Sequence, residues 1–344
     1  MTKPIASLSL DLDNKWSYMK THGDAGWDRY PTYLDLVVPR FLKVLHERDL
    51  KMTVFVVGQD ASREENFEAL ASISAAGHEI GNHSFNHEPW LHLYSIQELI
   101  SELAKTEEHL ERVTGQCPIG FRGPGFSFCD QLLKILICRG YQYDGSTFPT
   151  YLGPLARMYY FMSTHLTKEQ RAERKQLFGK FSEGFRPLKP FAWSFDEGHL
   201  TEIPVTTMPL FKVPIHASYV LYLAQFSRAI AITYWRTALT MCRIAHVGPS
   251  LLLHPLDFMG CEDDHDLAFF PAMGRPAAPK IEIVAEMIDM MSLYYQVLPM
   301  KDHAAAIKRA LSKKSSVSES SVSESTATVS IAHLISDSYL SSDS

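Results

Sequence analysis

Short apolar runs alternate with amphipathic segments along most of this chain, and that alternation limits the fold more than any other feature. Lys51-Met-Thr-Val-Phe-Val-Val57 is β-branched, closes at Gly58 and reads as a strand. Ile5–Leu10, the short run after Gly77, Ile119–Phe121, Tyr141–Tyr143, Glu202–Thr206, Ser250–Leu253 and Tyr295–Leu298 read the same way. Between them, Leu34, Val37, Val38, Phe41, Leu42 and Leu45 recur at helical spacing. Ser95-Ile-Gln-Glu98 is a capping box that opens a second amphipathic helix. Segments 63–76, 279–293 and 303–311, and one starting at Asp130, are also expected to be helical. Seven or eight strands, most followed by a helix, predict an α/β fold of the (β/α) barrel type, with a doubly wound sheet as the alternative.

Two segments break the alternation. Residues 149–195 are far longer than an ordinary βα connection and carry a charged helical stretch between aromatic flanks, so they read as a helical insertion. Residues 312–344 are dominated by serine and read as a disordered tail, which leaves 1–311 as one catalytic-sized domain. The hydrophobic fraction of 46% and charged fraction of 21% are ordinary for a globular chain. A net charge of -6 without a basic run argues against nucleic acid as a partner. The apolar window His216–Trp235 is broken by Gln225 and Arg228, so a transmembrane segment is not expected. Five cysteines without a Cys-x-x-Cys pair suit a reducing compartment, and residues 1–13 lack the pattern of a signal peptide.

The strands end on residues of a chemical kind. Asp11, Asp13, His83, His87, Arg122, Asp144 and His254 all fall just beyond strand C-termini, where a barrel gathers its site. His83 and His87 stand four apart, as on one turn of helix, and two imidazoles so placed can share one divalent metal. Asp11 and Asp13, two apart in an extended strand, point to the same side. Two neutral histidines and one carboxylate leave a coordination position for water. A second carboxylate can then take a proton and a histidine opposite can give one, which is the chemistry of metal-assisted amide hydrolysis.

In order, Asp-x-Asp, His-Ser-x-x-His, Arg-Gly-Pro-Gly, Tyr-Asp-x-Ser and Leu-Leu-Leu-His resemble the motifs of the polysaccharide deacetylases, the family with a nodulation-protein-B homology domain (carbohydrate esterase family four). The resemblance covers roughly residues 5–147 and 200–300. It implies a distorted (β/α) barrel, hydrolysis of N-acyl and chiefly N-acetyl groups on amino sugars, and one divalent metal ion, with Zn2+ foremost. Carried over position by position, it makes His83, His87 and Asp13 the metal ligands, Asp11 the base, Arg122 the group that holds the base, and His254 the acid. Pro124 and Gly125 of the arginine motif, with Trp193 of the insertion, are assigned to substrate. Two departures leave alternatives open. The family's adjacent Asp-Asp is Asp-Leu-Asp here, so Asp11 and Asp13 could exchange roles. The usual Asp-Trp of the fourth motif is missing, so either Asp144 or Asp257 could orient His254.

An acylated amino sugar is therefore the expected partner, lipid-linked or soluble, met in the cytoplasm or at the inner membrane face. The competing expectations are a deformylase or amidase acting on a non-polysaccharide amide, and a catalytically inactive carbohydrate-binding homologue.

Overall fold

The structure is a computed structural model and describes residues 3–152 and 181–310. The charged helical stretch expected inside the insertion and the serine-rich tail lie outside the described residues. By internal contacts, residues 1–304 make one compact unit and 305–344 a second. Of the latter, 305–310 are described and are helical.

In chain order the strands are β1 (Ile5–Leu12), β2 (Thr53–Val56), β3 (Glu79–Asn82), β4 (Gly120–Phe121), β5 (Tyr143–Asp144), β6 (Phe191–Phe195), β7 (Gly198–Glu202), β8 (Ser250–Leu253) and β9 (Gln296–Leu298). The helices are α1 (Lys15–His22), α2 (Leu34–His46), α3 (Gly58–Ala61), α4 (Phe67–Ala75), α5 (Ile96–Thr114), α6 (Asp130–Cys138), α7 (Ala217–Ala224), α8 (Arg228–Ile244) and α9 (Ala277–Tyr294). One curled sheet runs β6-β7-β5-β4-β3-β2-β1-β8, with β9 added on β1. Every pairing is parallel except the β6–β7 hairpin. The curl is drawn together past β7: Val205 N–H donates to the Thr147 carbonyl at 2.9 Å, and Thr206 N–H to the Ser250 carbonyl at 3.1 Å. This is the distorted barrel expected, with two differences. The hairpin strand β6 lies within the stretch read as insertion. The strand expected at Glu202–Thr206 sits earlier, at Gly198–Glu202, because Pro204 has no N–H to give a ladder.

The two-residue period of β1 sorts its side chains. Ala6, Leu8, Leu10 and Leu12 join the main core, which Leu34, Val37, Val38 and Phe41 of α2 and Ile283, Val284, Met287 and Ile288 of α9 share. A second cluster, including Leu99, Leu103, Phe121, Leu133 and Leu136, packs α5 and α6 against β4. Ser7, Ser9 and Asp11 take the opposite side of β1. There Ser9 receives the Arg122 guanidinium at 3.0 Å, and that guanidinium lies 4.4 Å from the centre of the Phe55 ring. Gly120 is required here: a Cβ would lie 2.0 Å from the Tyr143 ring.

Candidate metal and acyl-transfer site

Asp13 follows the end of β1, and His83 and His87 follow the end of β3, two strands away across β2. Asp13 Oδ1 lies 3.3 Å from His83 Nε2 and 2.9 Å from His87 Nε2. One ligand atom from each of the three residues falls within 4.8 Å of the others. The spacing of the two histidines acts differently from a helical turn. Ser84 and His87 both have positive φ, 60° and 53°, so a left-handed arch, instead of a helix, folds His87 back over His83.

The donor set fits a divalent cation. His83 Nδ1 donates to the Arg122 carbonyl at 2.6 Å, which leaves Nε2 as the lone-pair nitrogen facing Asp13. Asp13 Oδ1 is buried without a well-aligned hydrogen bond, as a ligand atom should be. Burial alone would lift the Asp13 carboxyl, but the close approach of His87 and His83 holds it far below the usual carboxylate range. Burial works against a charged His83, and Asp11 and Asp13 overcome it, so its imidazole is raised.

Asp11 is buried and paired: Arg122 Nη1 donates to its Oδ1 at 2.6 Å. The guanidinium is fully buried and is fixed further by Gly145 O at 2.9 Å and Ser9 Oγ at 3.0 Å. Leu10 of β1 stands opposite Leu253 of β8, so Asp11 and His254 are the next residues on adjoining strands.

His254 has a partner that local sequence does not signal. Ser218 Oγ, near the start of α7, donates to Asp257 Oδ1 at 2.7 Å and lies 3.1 Å from His254 Nδ1. Asp257 Oδ2 also accepts the His254 backbone N–H at 2.8 Å. Of the two candidates for orienting His254, Asp257 reaches the ring, with Ser218 between them. Burial lifts the Asp257 carboxyl, and the charge of His254 pulls the other way.

Asp144 is used elsewhere. Its Oδ1 accepts Ser146 Oγ–H at 2.6 Å, and Ser146 Oγ accepts the Gly123 N–H at 2.8 Å, which braces the Arg122-Gly123 turn. Across β5–β7 it faces Glu202. Burial and the charge of Asp144 keep Glu202 protonated well above the usual range.

Trp193, on β6, gives its indole N–H to Glu202 at 3.0 Å, and its ring packs against Phe128 and Phe191. It is therefore a packing residue in this structure. Pro124 is buried, while Gly125 is exposed with φ at +57°. The next residue, Phe126, stacks on Phe148 at 4.9 Å between ring centres. Phe148 meets His216, and His216 meets His254, with centres 5.7 and 6.1 Å apart. His216 has a buried Nδ1 without a partner, and burial pushes its imidazole down to about 3. It opens the apolar window His216–Trp235, as the residue before the first turn of α7, and no sequence motif marks it as a site residue.

Residues 24–143 match the family described as polysaccharide deacetylase. The match includes His83, His87 and Arg122, while Asp11, Asp13 and His254 lie outside it. A peptidoglycan deacetylase of Helicobacter pylori is 33% identical over 109 residues, 32% of this chain and 36% of that protein. A peptidoglycan-N-acetylglucosamine deacetylase of Bacillus cereus is 33% identical over 96 residues, 28% of this chain and 34% of that protein. The matched stretch thus spans about a third of these relatives. A crystal structure assigned as a polysaccharide deacetylase of Mycobacterium smegmatis shares the fold, with a TM-score of 0.56 at 20% identity, covering 90% of this chain and 96% of that one. No helix among the described residues is long and apolar enough to cross a membrane.

Proposed function

We propose that the chain is a metal-dependent hydrolase that removes an N-acyl group, N-acetyl foremost, from an amino sugar in a polysaccharide or its lipid-linked or soluble precursor. The observation that carries this reading is the convergence of Asp13, His83 and His87 on one point, beside an arginine-held Asp11. A divalent cation, zinc foremost, would be held by those three residues and would supply Lewis acidity toward the acyl carbonyl. Asp11, held by Arg122, takes a proton from the attacking water. His254, steadied through Ser218 by Asp257, gives a proton to the departing amine. Water and amide are consumed, and carboxylate and amine are released. Phe126, Phe148 and His216 form the wall beside His254 and suit a ring-bearing leaving group.

In this reading residues 1–311 are the catalytic domain, 149–195 an insertion at its mouth and 312–344 a dispensable tail. A reducing compartment suits the five cysteines, all of them free, and supports a cytoplasmic setting. The test is metal analysis of the purified chain, with acetate and formate measured after incubation with N-acylated glucosamine oligomers and precursors. Stoichiometric metal with acetate release is expected. Metal without acyl release from any amino sugar would end the deacetylase reading, and absence of metal would end the proposed chemistry.

A further inference from the structure

The metal ligands occupy a segment that ought not to keep its shape unaided. The arch from His83 to His87 holds two non-glycine residues in the left-handed region, Ser84 at φ 60° and His87 at φ 53°. Residues with a Cβ are disfavoured there in a free chain. Its carbonyls are gripped from α3: Gly58 N–H donates to Ser84 O at 2.8 Å and Gln59 N–H to Phe85 O at 3.0 Å. That approach needs Gly58, where a Cβ would lie 2.6 Å from both the Phe85 ring and Thr106 Oγ.

The amides at the crown of the arch depend on one side chain. Glu102, in α5 and only 6% exposed, accepts Phe85 N–H at 2.7 Å and Asn86 N–H at 3.0 Å through Oε2. Its other oxygen accepts the Asn86 side-chain amide. No lysine or arginine pairs with it among the described residues. A buried carboxylate without a cation is costly unless its lone pairs are filled, and here the arch fills them. The ordinary explanation of an acidic residue on an amphipathic helix, a solvated face, does not apply.

We infer that Glu102 is a positioning residue for the metal. It holds the arch in its left-handed shape before any ion arrives, so that His83 and His87 already converge on Asp13. The inference rests on the metal site proposed above. It adds that part of the affinity is set by a residue which touches neither the metal nor the substrate. Outer partners of metal ligands are typically worth 10–100-fold in affinity.

The experiment is a competition titration of the metal-stripped full chain with zinc against a chromophoric chelator. It compares wild type, Glu102→Gln and Glu102→Ala, with hydrogen exchange of the metal-free proteins followed in parallel. Glu102→Ala should bind zinc roughly 10–100-fold more weakly. Its Phe85 and Asn86 amides should exchange faster, with Val54 and Val56 of β2 as protected as before. Glu102→Gln keeps an acceptor oxygen and should recover part of the affinity. Wild-type affinity in Glu102→Ala despite faster exchange in the arch would overturn the inference while sparing the metal site. Loss of protection through β2, with no recovery in Glu102→Gln, would make Glu102 a general stabiliser and overturn it too. A wild-type chain that binds no zinc would remove this inference and the proposed function together.

Discussion

Replacing Arg122 by methionine tests how the site is held. The guanidinium is fully buried and donates to Asp11, Ser9 and Gly145. Methionine fills much of the same volume and offers no donor. Asp11 would then remain as a buried carboxylate without its cation, and breaking a buried pair from one side costs about 3–5 kcal/mol. Methionine beside the Phe55 ring returns about 0.3–1.5 kcal/mol through sulfur–aromatic contact. A net loss of about 3 kcal/mol is expected, read as the shift in urea midpoint multiplied by an unchanged m-value. The control is Asp11→Asn in the same background. With the stranded charge gone, the double variant should be less destabilised than the sum of the two single changes, by at least about 1 kcal/mol. Strict additivity, or a cost below about 1 kcal/mol for Arg122→Met alone, would refute the view that this pair is an electrostatic unit.

Three further outcomes follow from the geometry. His83→Ala and His87→Ala should each lose tightly bound metal while the far-ultraviolet circular dichroism stays unchanged; full metal occupancy in the double variant would put the site elsewhere. Asp11→Asn and His254→Ala should keep the metal and lose roughly 10²–10⁴ in turnover, with Ser218→Ala lying between wild type and His254→Ala; loss of metal in Asp11→Asn but not in Asp13→Asn would exchange the two aspartate roles. Asp60, which accepts from Asn14 and Trp16, is lifted by burial to about 7 from 3.8, so between those values the native state keeps a proton that the unfolded chain releases and stability falls as pH rises. Thermal midpoints of metal-stripped Asp60→Asn should therefore decline less than wild type from pH 4 to 7, and parallel profiles would contradict the assignment.

The elements closest to regular secondary structure were readable in one dimension. In β1 the period of two by itself separates Leu8 and Leu10 from Ser9 and Asp11, and it sets Asp11 and Asp13 on one side. The capping box at Ser95 and Glu98 forms as read, because both of its bonds join residues three apart. His83 and His87 were readable as a pair, yet their spacing suggested a helical turn. Hydrogen bonds from α3 and α5 impose a left-handed arch that local propensity disfavours.

What sequence determined by itself was the alternation of strands and helices, and with it the placing of Asp11, Asp13, His83, His87, Arg122 and His254 at strand ends. Those properties repeat every two or every 3.6 residues, and a short window contains them. Tertiary structure alone decided the partners. Asp144 faces Glu202 because β7 inserts beside β5, and Trp193 is drawn into packing by the β6–β7 hairpin. Ser218 bridges His254 and Asp257 from 36 residues away, and Glu102 reaches Asn86 from 16 residues away on a separate helix. Such contacts carry no periodic signature. Each is chosen by which buried polar atom lacks a partner once the strands have been laid side by side, and that shortage exists only in three dimensions.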